Sequence, residues 1–380
     1  MRIGLLSPPR RYEDAFLSNA EQLFNCSSNN LGNFAFAEAL FRHLAPAAVT
    51  HWFAPREQAR ERFDILALAA ANQLGAHNDL GNFAKHLENI GLPLVVVGLG
   101  AQAESLESPV DLPPGTERWA RTLAALAPGK APNIGVRGEF SLRTLEKLGL
   151  GEHAVVIGCP SNFLNDRPDY YAVLRARVEK PRIDRLCVAA GNPYVPSVRH
   201  LEARLAQLVA ATCGAYVAQA ELDMVRFARG EGERSDPEAR EAIRRFVAPE
   251  LSHDELAVWR QRHAMCFSDA TSWMDAMRNF DFALGARFHG VMLAVQAGTP
   301  GGVLAHDSRT REMCRTMAIP TRQAEETPAD FRLDDIRRLF AFDVEQFATT
   351  RERLRGTYVD LLRGCGIEPQ QRLTKPQASA

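Results

Sequence analysis

The sequence predicts an α/β protein built from two parallel-sheet domains. Short apolar runs alternate with longer amphipathic or alanine-rich stretches along the chain, and this alternation is typical of parallel sheets flanked by helices. The pattern occurs twice, on either side of a polar stretch at 165–182 that carries prolines at 168 and 181. Since a domain spans about 150 residues on average, 380 residues are enough for two domains.

The predicted strands are the short apolar runs, and the predicted helices are the longer stretches between them. The strands of the first set lie at 2–6, 49–52, 64–70, 93–98, 133–136 and 154–158, and those of the second at 185–190, 215–219, 264–267, 281–285 and 301–305. The helices lie near 13–24, 33–44, 80–90, 116–127, 139–149, 197–212, 237–247, 253–262, 271–279, 289–297, 308–317, 332–340 and 343–364. These elements predict an N-terminal Rossmann-like domain at 1–165, a linker at 166–182, a C-terminal Rossmann-like domain at 183–320, C-terminal helices at 321–366 and a disordered tail at 367–380.

Composition excludes several classes of protein. The formal charge is −1, and 46% hydrophobic with 24% charged residues is ordinary globular usage. Arginines interleave with acids, as at 56–62, instead of clustering as in a nucleic-acid-binding surface. The longest stretch without polar side chains, 90–101, has 12 residues, whereas a spanning helix needs about 20. We therefore expect a cytoplasmic protein that binds no nucleic acid and has no integral membrane segment.

Common cofactor and metal signatures are also missing from the sequence. The seven cysteines include no CxxC pair, so neither a disulfide framework nor a thiolate zinc site fits their spacing. Gly98-x-Gly100 lacks the third glycine of a dinucleotide fingerprint, and there is no Walker loop, HExxH helix or GxSxG elbow. We expect no metal and no cofactor.

The strongest local signal lies at 281–300, DFALGARFHGVMLAVQAGTP. An apolar strand ends at Gly285, Arg287 follows in the turn, and His289 opens the next helix. A helix amino terminus favours anions, and a guanidinium beside an imidazole suits a small ligand that carries carboxylate and phosphate. Gly290 permits close approach of such a ligand. The alternative is structural, with the histidine capping its turn and the arginine paired to an acid.

Ligands of open α/β sheets bind beyond the carboxyl ends of the strands, and other polar residues occupy equivalent positions. Arg137 follows the fifth predicted strand, although a structural ion pair explains it equally well on its own. Gly100 and Gln102 follow the fourth strand, and His306 and Asp307 follow the last one. The His–Asp pair fits either an oriented acid–base pair or an ordinary turn.

A third candidate element precedes the predicted helix at 33–44. Asn30, Gly32 and Asn33 either cap this helix or line a cleft between the two domains with side-chain amides and glycine backbone. The sequence does not decide between these two readings.

Three elements together resemble the polysaccharide pyruvyl transferase family. The stretch Gly285-Ala-Arg-Phe-His-Gly290, with its alanine-rich helix, Gly-x-Pro turn and His306-Asp307, is similar to the family's carboxy-terminal signature. Val136-Arg137-x-x-x-Ser141, followed by LExLG, resembles its middle element, and residues 30–33 resemble an Asn-x-Gly-Asp motif. The three elements occur in the family's order across about residues 25–318. Two positions depart from the family pattern: Asn33 replaces an aspartate and Phe288 replaces a leucine.

The resemblance implies a glycosyltransferase-B-like arrangement and transfer of pyruvate from phosphoenolpyruvate onto two hydroxyls of a sugar as a cyclic ketal. It further implies that Arg287 and Arg137 bind the donor. Our hypothesis is that His289 moves protons, and we expect the C-terminal domain to hold the donor and the N-terminal domain to hold the acceptor. The acceptor is a sugar or glycan, free or lipid-linked. Two alternatives stay open: a nucleotide-sugar glycosyltransferase of the same architecture, and a catalytically silent binding protein.

Overall fold

The computed structural model describes residues 1–50 and 52–375 as two parallel six-stranded sheets wrapped by helices. The strands of the first sheet are β1 Ile3–Leu6, β2 Ala48–Thr50, β3 Ile65–Ala69, β4 Leu94–Leu99, β5 Ile134–Val136 and β6 Ala154–Val156. Those of the second are β7 Leu186–Ala189, β8 Ala215–Val217, β9 Ala264–Met265, β10 Phe282–Gly285, β11 Gly301–Ala305 and β12 Thr321–Gln323. This confirms the predicted two-domain α/β fold.

The helices alternate with the strands, as the sequence pattern predicts. Those before the second sheet are α1 Ala20–Cys26, α2 Asn33–Leu44, α3 Arg56–Arg62, α4 Gly81–Ile90, α5 Pro114–Ala125, α6 Glu139–Lys147 and α7 Tyr170–Val178. Those of the second half are α8 Pro196–Ala211, α9 Leu222–Arg229, α10 Pro237–Val247, α11 His253–His263, α12 Ala270–Met277, α13 Phe288–Gln296, α14 Ser308–Thr316, α15 Ile336–Leu339, α16 Val344–Gly364 and α17 Gln371–Thr374. Short 3-10 helices lie at Gly151–His153, Pro160–Phe163, Gly232–Arg234, Ala324–Glu326 and Leu333–Asp335.

Strand order places a ligand-binding crevice in each domain. The first sheet has the order β2-β1-β3-β4-β5-β6, so the direction of winding reverses between β1 and β3. The second reads β9-β8-β7-β10-β11-β12, which is the 3-2-1-4-5-6 order of dinucleotide-binding folds and reverses between β7 and β10. Ligands of such sheets bind at the carboxyl ends of the strands beside the reversal.

The strands are short apolar runs because both faces of each sheet are covered by helices. β3 and β4 are buried along their whole length, and β10 and β11 are their counterparts in the second sheet. All the strands predicted from the sequence are present. Some are shorter than predicted: β6 ends at Val156, β8 at Val217 and β9 at Met265. Of the strand predicted at 49–52, β2 contains residues 49 and 50, and residue 51 lies outside the described residues.

Two segments depart from the prediction. The predicted linker at 166–182 contains α7, whose Tyr170 and Tyr171 are buried and pack beside Phe347. The predicted disordered tail at 367–380 contains α17, which packs on α2 through the buried Leu373; residues 376–380 lie outside the described part of the chain. Burial of single apolar side chains orders both segments, and neither has a strong sequence pattern.

The C-terminal helix α16 returns to the first domain. It contacts β5 and β6, and its buried side chains belong to the same apolar core as Leu5 and Val97. Between the sheets, α2 from the first domain contacts α13 from the second. The amino ends of these two helices meet at the cavity described below.

Candidate active site

A cavity of about 330 Å³ lies where the carboxyl ends of the two sheets face each other. Residues that follow β1, β3 and β5 line one side, and residues that follow β8, β10 and β11 line the other. The lining consists of Pro8, Ser28, Asn30, Asn33, Phe36, Trp52, Ala71, Asn72, Gln73, Arg137, Gln219, Ala286, Arg287, Phe288, His289, Arg309, Thr310 and Met313. Both reversal points of the strand order therefore open into one space.

Arg287 enters the cavity from the turn between β10 and α13. Its neighbour Gly285 has φ of +156°, and a Cβ there would lie 2.1 Å from the carbonyl oxygen of Ala189, so the strand can end this way only with glycine. Within the described residues, Nε and one terminal nitrogen of Arg287 have no hydrogen-bond partner although they are buried. The nearest carboxylate oxygen, on Glu221, is 3.6 Å away.

Arg137 reaches the same cavity from the end of β5. It is 2% exposed, and its Nε donates to the carbonyl oxygen of Gly98 at 2.8 Å. Gly100 makes room for it, because a Cβ at that position would lie 2.9 Å from Cδ of Arg137. No carboxylate of the described residues lies within salt-bridge distance of the guanidinium, so the structural ion pair that the sequence left open is not formed.

A third arginine, Arg309, lies on α14 and lines the cavity beside the first two. Asp307 caps α14 by accepting from the Thr310 N–H at 2.7 Å, and it holds Arg309 at 3.2 Å. His306 lies 3.7 Å from the Asp307 carboxylate. Neither His306 nor Asp307 belongs to the cavity lining, so the structure places this pair behind Arg309.

His289 lies in the first turn of α13, with its ring between Phe36 and Phe288 at centroid distances of 5.8 and 5.5 Å. Its Nε2 is 3.5 Å from the Sγ of Cys159, which in turn accepts a hydrogen bond from Ser161 at 3.0 Å. Nδ1 has no partner in the described chain and is the nitrogen available to a ligand. The imidazole is 8% exposed and lines the cavity.

The loop before α2 brings the first domain against His289. Gly32 packs so closely that a Cβ there would lie 2.6 Å from Nε2 of Gln219 and 3.1 Å from Cβ of His289. Asn30 accepts at Oδ1 from the Gly32 N–H at 2.9 Å, and from Gln219 at 3.3 Å. Asn33 donates from Nδ2 to the carbonyl oxygen of Ser27 at 2.9 Å. The loop therefore lines the cleft, whereas no side chain caps α2, so the structure supports the cleft reading and not the capping reading.

The other predicted site residues support the lining from behind. Gln102 accepts from Nδ2 of Asn72 at 2.7 Å and so orients a lining residue. Gly290 lets α13 approach β7, since a Cβ there would lie 2.7 Å from the Cβ of Ala189. Of the predicted substrate-binding set, Asn30 and Asn33 line the cavity, whereas Gly32, Gly100, Gln102, Gly285, Gly290, His306 and Asp307 do not.

Several lining residues were not predicted as site residues, among them Arg309, Gln219, Asn72, Gln73 and Trp52. Arg309 follows the last predicted strand within four residues, and Asn72 and Gln73 follow the third, so their positions at strand ends were a usable signal. Gln219 also follows a strand. Trp52 lies in a turn after β2 and has no distinguishing sequence pattern.

Comparison with known proteins now bears on the site. A sequence model of the family "Polysaccharide pyruvyl transferase" matches residues 30–308, which is more than half of the chain. The chain belongs to this family. The matched span contains every residue of the cavity lining except Pro8, Ser28, Arg309, Thr310 and Met313. No curated protein matches the chain.

Solved structures resemble this pyruvyl transferase family member only distantly. The S. aureus MnaA–UDP co-structure has 12% identity, covers 96% of this chain and 98% of its own, and gives a TM-score of 0.47. The wall teichoic acid polymerase TagF, as its H444N variant, has 10% identity, 95% and 89% coverage and a TM-score of 0.39. A UGT transferase from Siraitia grosvenorii in complex with UDP has 10% identity, 98% and 99% coverage and a TM-score of 0.38.

The electrostatics of the pyruvyl transferase cavity favour an anion. Burial lowers the pKa of Arg287, and burial likewise lowers that of Arg137, yet arginine stays charged in proteins. Burial, reinforced by Arg137 and Arg309, lowers the pKa of His289 well below 6.5, so the imidazole is neutral at pH 7. The amino ends of α2 and α13 add partial positive charge, and no side chain caps either of them.

The second family element also bridges the domains. Ser141, on α6, donates from its hydroxyl to Glu312 of α14 at 2.8 Å, and the Ser141 N–H donates to the same carboxylate at 2.7 Å. The hydroxyl also accepts from the Ala101 N–H at 2.8 Å. This bridge fixes the α6 end that carries Arg137 relative to the helix that carries Arg309.

No helix of residues 1–50 and 52–375 combines the length and apolar character that crossing a bilayer requires. The same residues contain no cluster of three or more His, Cys, Asp or Glu side chains arranged to hold a metal ion.

Proposed function

We propose that this protein transfers the pyruvyl group of phosphoenolpyruvate onto two hydroxyls of a sugar in a glycan or glycan precursor, forming a cyclic ketal. One observation carries the proposal: buried guanidinium N–H groups of Arg287 and Arg309 face the cavity without a hydrogen-bond partner among the described residues. Unpaired buried donors cost about 1–3 kcal/mol each, and an anionic ligand removes that cost. The family supports a transferase that modifies polysaccharide.

The three arginines divide the donor's negative charges between them. Arg287 and Arg309 present buried Nε–H donors without a hydrogen-bond partner among the described residues from the second domain. Arg137 donates to the carbonyl oxygens of Gly98 and Ala70 at 2.8 and 3.4 Å and presents its remaining N–H groups from the first. Planar guanidinium groups bind carboxylate and phosphate in bidentate fashion. We assign phosphoenolpyruvate, with one carboxylate and one phosphate, to this cationic half of the cavity.

The reaction balances without an added reagent. A proton adds to C3 of phosphoenolpyruvate as the first sugar hydroxyl attacks C2, and C2 then carries the sugar oxygen, the phosphate and the carboxylate. The second hydroxyl attacks C2, and the bond from C2 to the phosphate oxygen breaks. Of the two hydroxyl protons, one ends on C3 and the other leaves with phosphate.

His289 is the group we assign to proton transfer. Its neutral imidazole can accept the proton of the first hydroxyl at Nδ1 and deliver it to C3. Binding of the donor raises the pKa of His289, because a nearby anion favours the imidazolium form. The pKa of His289 therefore rises as the donor binds, which is when the reaction needs a base.

The dimensions of the cavity favour a small donor. A volume of about 330 Å³ is at the lower end of the range for small-molecule sites, about 300–1,000 Å³. This volume suits phosphoenolpyruvate with one sugar ring better than a nucleoside diphosphate sugar with its acceptor.

Thermal unfolding with added ligand tests the proposal. Phosphoenolpyruvate at 100 times its dissociation constant should stabilise the native state by about 2.7 kcal/mol, and Arg287→Ala should abolish the shift. The matched control is Arg315→Ala, an exposed arginine on α14, which should keep it. Stabilisation by nucleotide sugars and not by phosphoenolpyruvate would identify a glycosyltransferase and overturn the ketal mechanism. Binding without phosphate release for any glycan acceptor would identify a silent family member.

A further inference from the structure

The cavity has a second half that the donor does not use. On the side of the first domain, the lining carries neutral polar side chains and two aromatic rings, including Asn30, Asn33, Asn72, Gln73, Trp52 and Phe36. Among the described residues, this half of the lining contains no carboxylate and, apart from Arg137, no charged group. This half lies at the reversal point of the first sheet, beyond the ends of β1 and β3, where a ligand of this domain is expected.

Internal hydrogen bonds fix which atom each amide presents. Gln73 accepts at Oε1 from the Ala71 N–H at 2.5 Å, so its NH₂ group remains for a ligand. Asn72 donates from Nδ2 to Gln102 at 2.7 Å, so its carbonyl oxygen remains. Asn33 donates from Nδ2 to Ser27, so its carbonyl oxygen remains for a ligand. Asn30 accepts at Oδ1 from the Gly32 N–H, so its NH₂ group remains.

The pattern of donors and acceptors matches hydroxyl groups. Each hydroxyl both donates and accepts, and the amides offer two NH₂ groups and two carbonyl oxygens around one space. Gln219 adds a further acceptor, since its side chain is 2% exposed and its Oε1 has no partner among the described residues. A buried unpaired acceptor at the cavity wall is explained by a ligand that donates a hydrogen bond.

Trp52 supplies the apolar surface that a sugar ring needs. It is half-buried and lines the cavity, and Phe83 packs against it edge-on at a centroid distance of 5.8 Å. Aromatic rings give binding sites large rigid contact area at low entropic cost. The contact with Phe83 orients the indole before a ligand arrives.

We propose that Trp52, Asn72 and Gln73 form the acceptor subsite, and that the acceptor is a neutral hexopyranose residue whose ring packs on Trp52. This inference rests on the proposed function for the identity of the reaction, but the subsite is argued from its own residues. We expect a neutral sugar to bind more tightly than a uronic acid, because none of these three residues is cationic and Arg137 is assigned to the donor.

The test measures binding of two probes that differ in one carboxylate. Methyl β-galactopyranoside offers hydroxyl pairs in both 3,4 and 4,6 geometry, and methyl galactopyranosiduronic acid is its anionic counterpart. Binding is followed by saturation-transfer NMR and by tryptophan fluorescence. The other tryptophans, at 119, 259 and 273, are 0%, 8% and 0% exposed, so a fluorescence response on binding reports Trp52.

We expect the galactoside to bind more tightly than the uronide and to change the fluorescence. Trp52→Phe should keep NMR-detected binding but lose the response, and Trp52→Leu should weaken binding at least about tenfold. Gln73→Ala should weaken it about fivefold, the effect of one neutral hydrogen bond. The matched control Gln58→Ala, exposed on α3, should bind as wild type.

Three results would overturn the subsite: no binding of the galactoside, equal or tighter binding of the uronide, or wild-type binding by Trp52→Leu and Gln73→Ala. The same variants are also tested for stabilisation by phosphoenolpyruvate, which they should retain. If phosphoenolpyruvate stabilises no variant while the galactoside engages Trp52, the donor assignment fails and the subsite stands. If phosphoenolpyruvate stabilises the protein while the galactoside does not engage Trp52, the subsite fails and the donor assignment stands.

Discussion

A single methyl group at Gly100 should displace Arg137, the residue that we propose binds the donor, without touching any charged atom. The Cβ of an alanine would lie 2.9 Å from Cδ of Arg137 and 3.3 Å from the carbonyl oxygen of Ala71. Ordinary contacts begin near 3.4 Å, so Cδ must move away from its present position. That movement strains the bond from Arg137 Nε to the Gly98 oxygen, which is 2.8 Å long.

The expected cost follows from these contacts. Overpacking of a buried site destabilises by about 1–3 kcal/mol, and we expect a loss of this size in the free energy of unfolding. Misplacing a charged hydrogen-bond donor weakens its ligand contact by about 1.5–3 kcal/mol, which corresponds to a roughly 10- to 100-fold weaker affinity for phosphoenolpyruvate.

The assay compares Gly100→Ala with Gly129→Ala by urea unfolding and by isothermal titration with phosphoenolpyruvate. Gly129 has no atom within 4 Å of the added Cβ, so it controls for the loss of glycine flexibility. Wild-type affinity for phosphoenolpyruvate in Gly100→Ala would refute the reasoning, since Arg137 would then be either unmoved or irrelevant to the donor.

Three further variants test other contacts. Asn33→Asp should lower stability by about 1–3 kcal/mol in urea unfolding, and more than Asn33→Ala, because a carboxylate would face the Ser27 carbonyl oxygen in place of a donor. Cys159→Ala should lower kcat about tenfold and move the pH profile while donor KM stays constant, because His289 Nε2 loses its contact. Burial raises the pKa of Glu202 to about 7, so Glu202→Gln should flatten the dependence of stability on pH.

The direction in which stability changes with pH follows from proton binding to Glu202. The folded state holds a proton on this carboxyl between pH 4.5 and about 7 that the unfolded state has released. Stability is therefore full below pH 4.5 and falls as the pH rises through 7, by on the order of 3 kcal/mol. The amide of the variant accepts from Tyr216 and from the Gly191 N–H in the same way, so unfolding at pH 5 and 8 isolates the charge.

Each of these predictions has a contradicting result. Equal stability of Asn33→Asp and wild type would mean that the amide does not hold the loop. An unchanged pH profile for Cys159→Ala would mean that the thiol does not position the imidazole. A Glu202→Gln variant with the wild-type slope between pH 5 and 8 would place the titration elsewhere.

Strands could be predicted where burial of both faces leaves a run of apolar residues in the sequence. β4 reads Leu-Val-Val-Val-Gly-Leu because helices cover both of its faces. By contrast β12, with the sequence Thr-Arg-Gln, is a partly exposed edge strand and carries no apolar run, so it was missed. α7 was missed because its buried Tyr170 and Tyr171 are adjacent and Arg175 and Arg177 follow in its last turn, so the sequence gives no clear helical stripe.

The site residues likewise divide into those that the sequence predicts and those that it does not. Arg287, His289 and Arg137 lie in motifs with fixed spacing after apolar strands, so their convergence at strand ends could be predicted. Gln219 follows β8, but it meets Asn30 of the first domain only because the two domains pack face to face. No local pattern marks Trp52. The function of Gly100 is likewise visible only once the path of the Arg137 side chain is known.

The return of α16 to the first domain has a consequence for synthesis on the ribosome. The first sheet is complete at Val156, but the side chains that cover one face of β5 and β6 come from α16, and Leu373 of α17 closes the same core. More than 200 residues must be added after Val156 before this face is covered, which takes about 10–40 s at roughly 5–20 residues per second. During that interval the nascent domain exposes apolar surface that chaperones can recognise. A chain truncated before Val344 would keep every strand but leave this face of the first sheet uncovered.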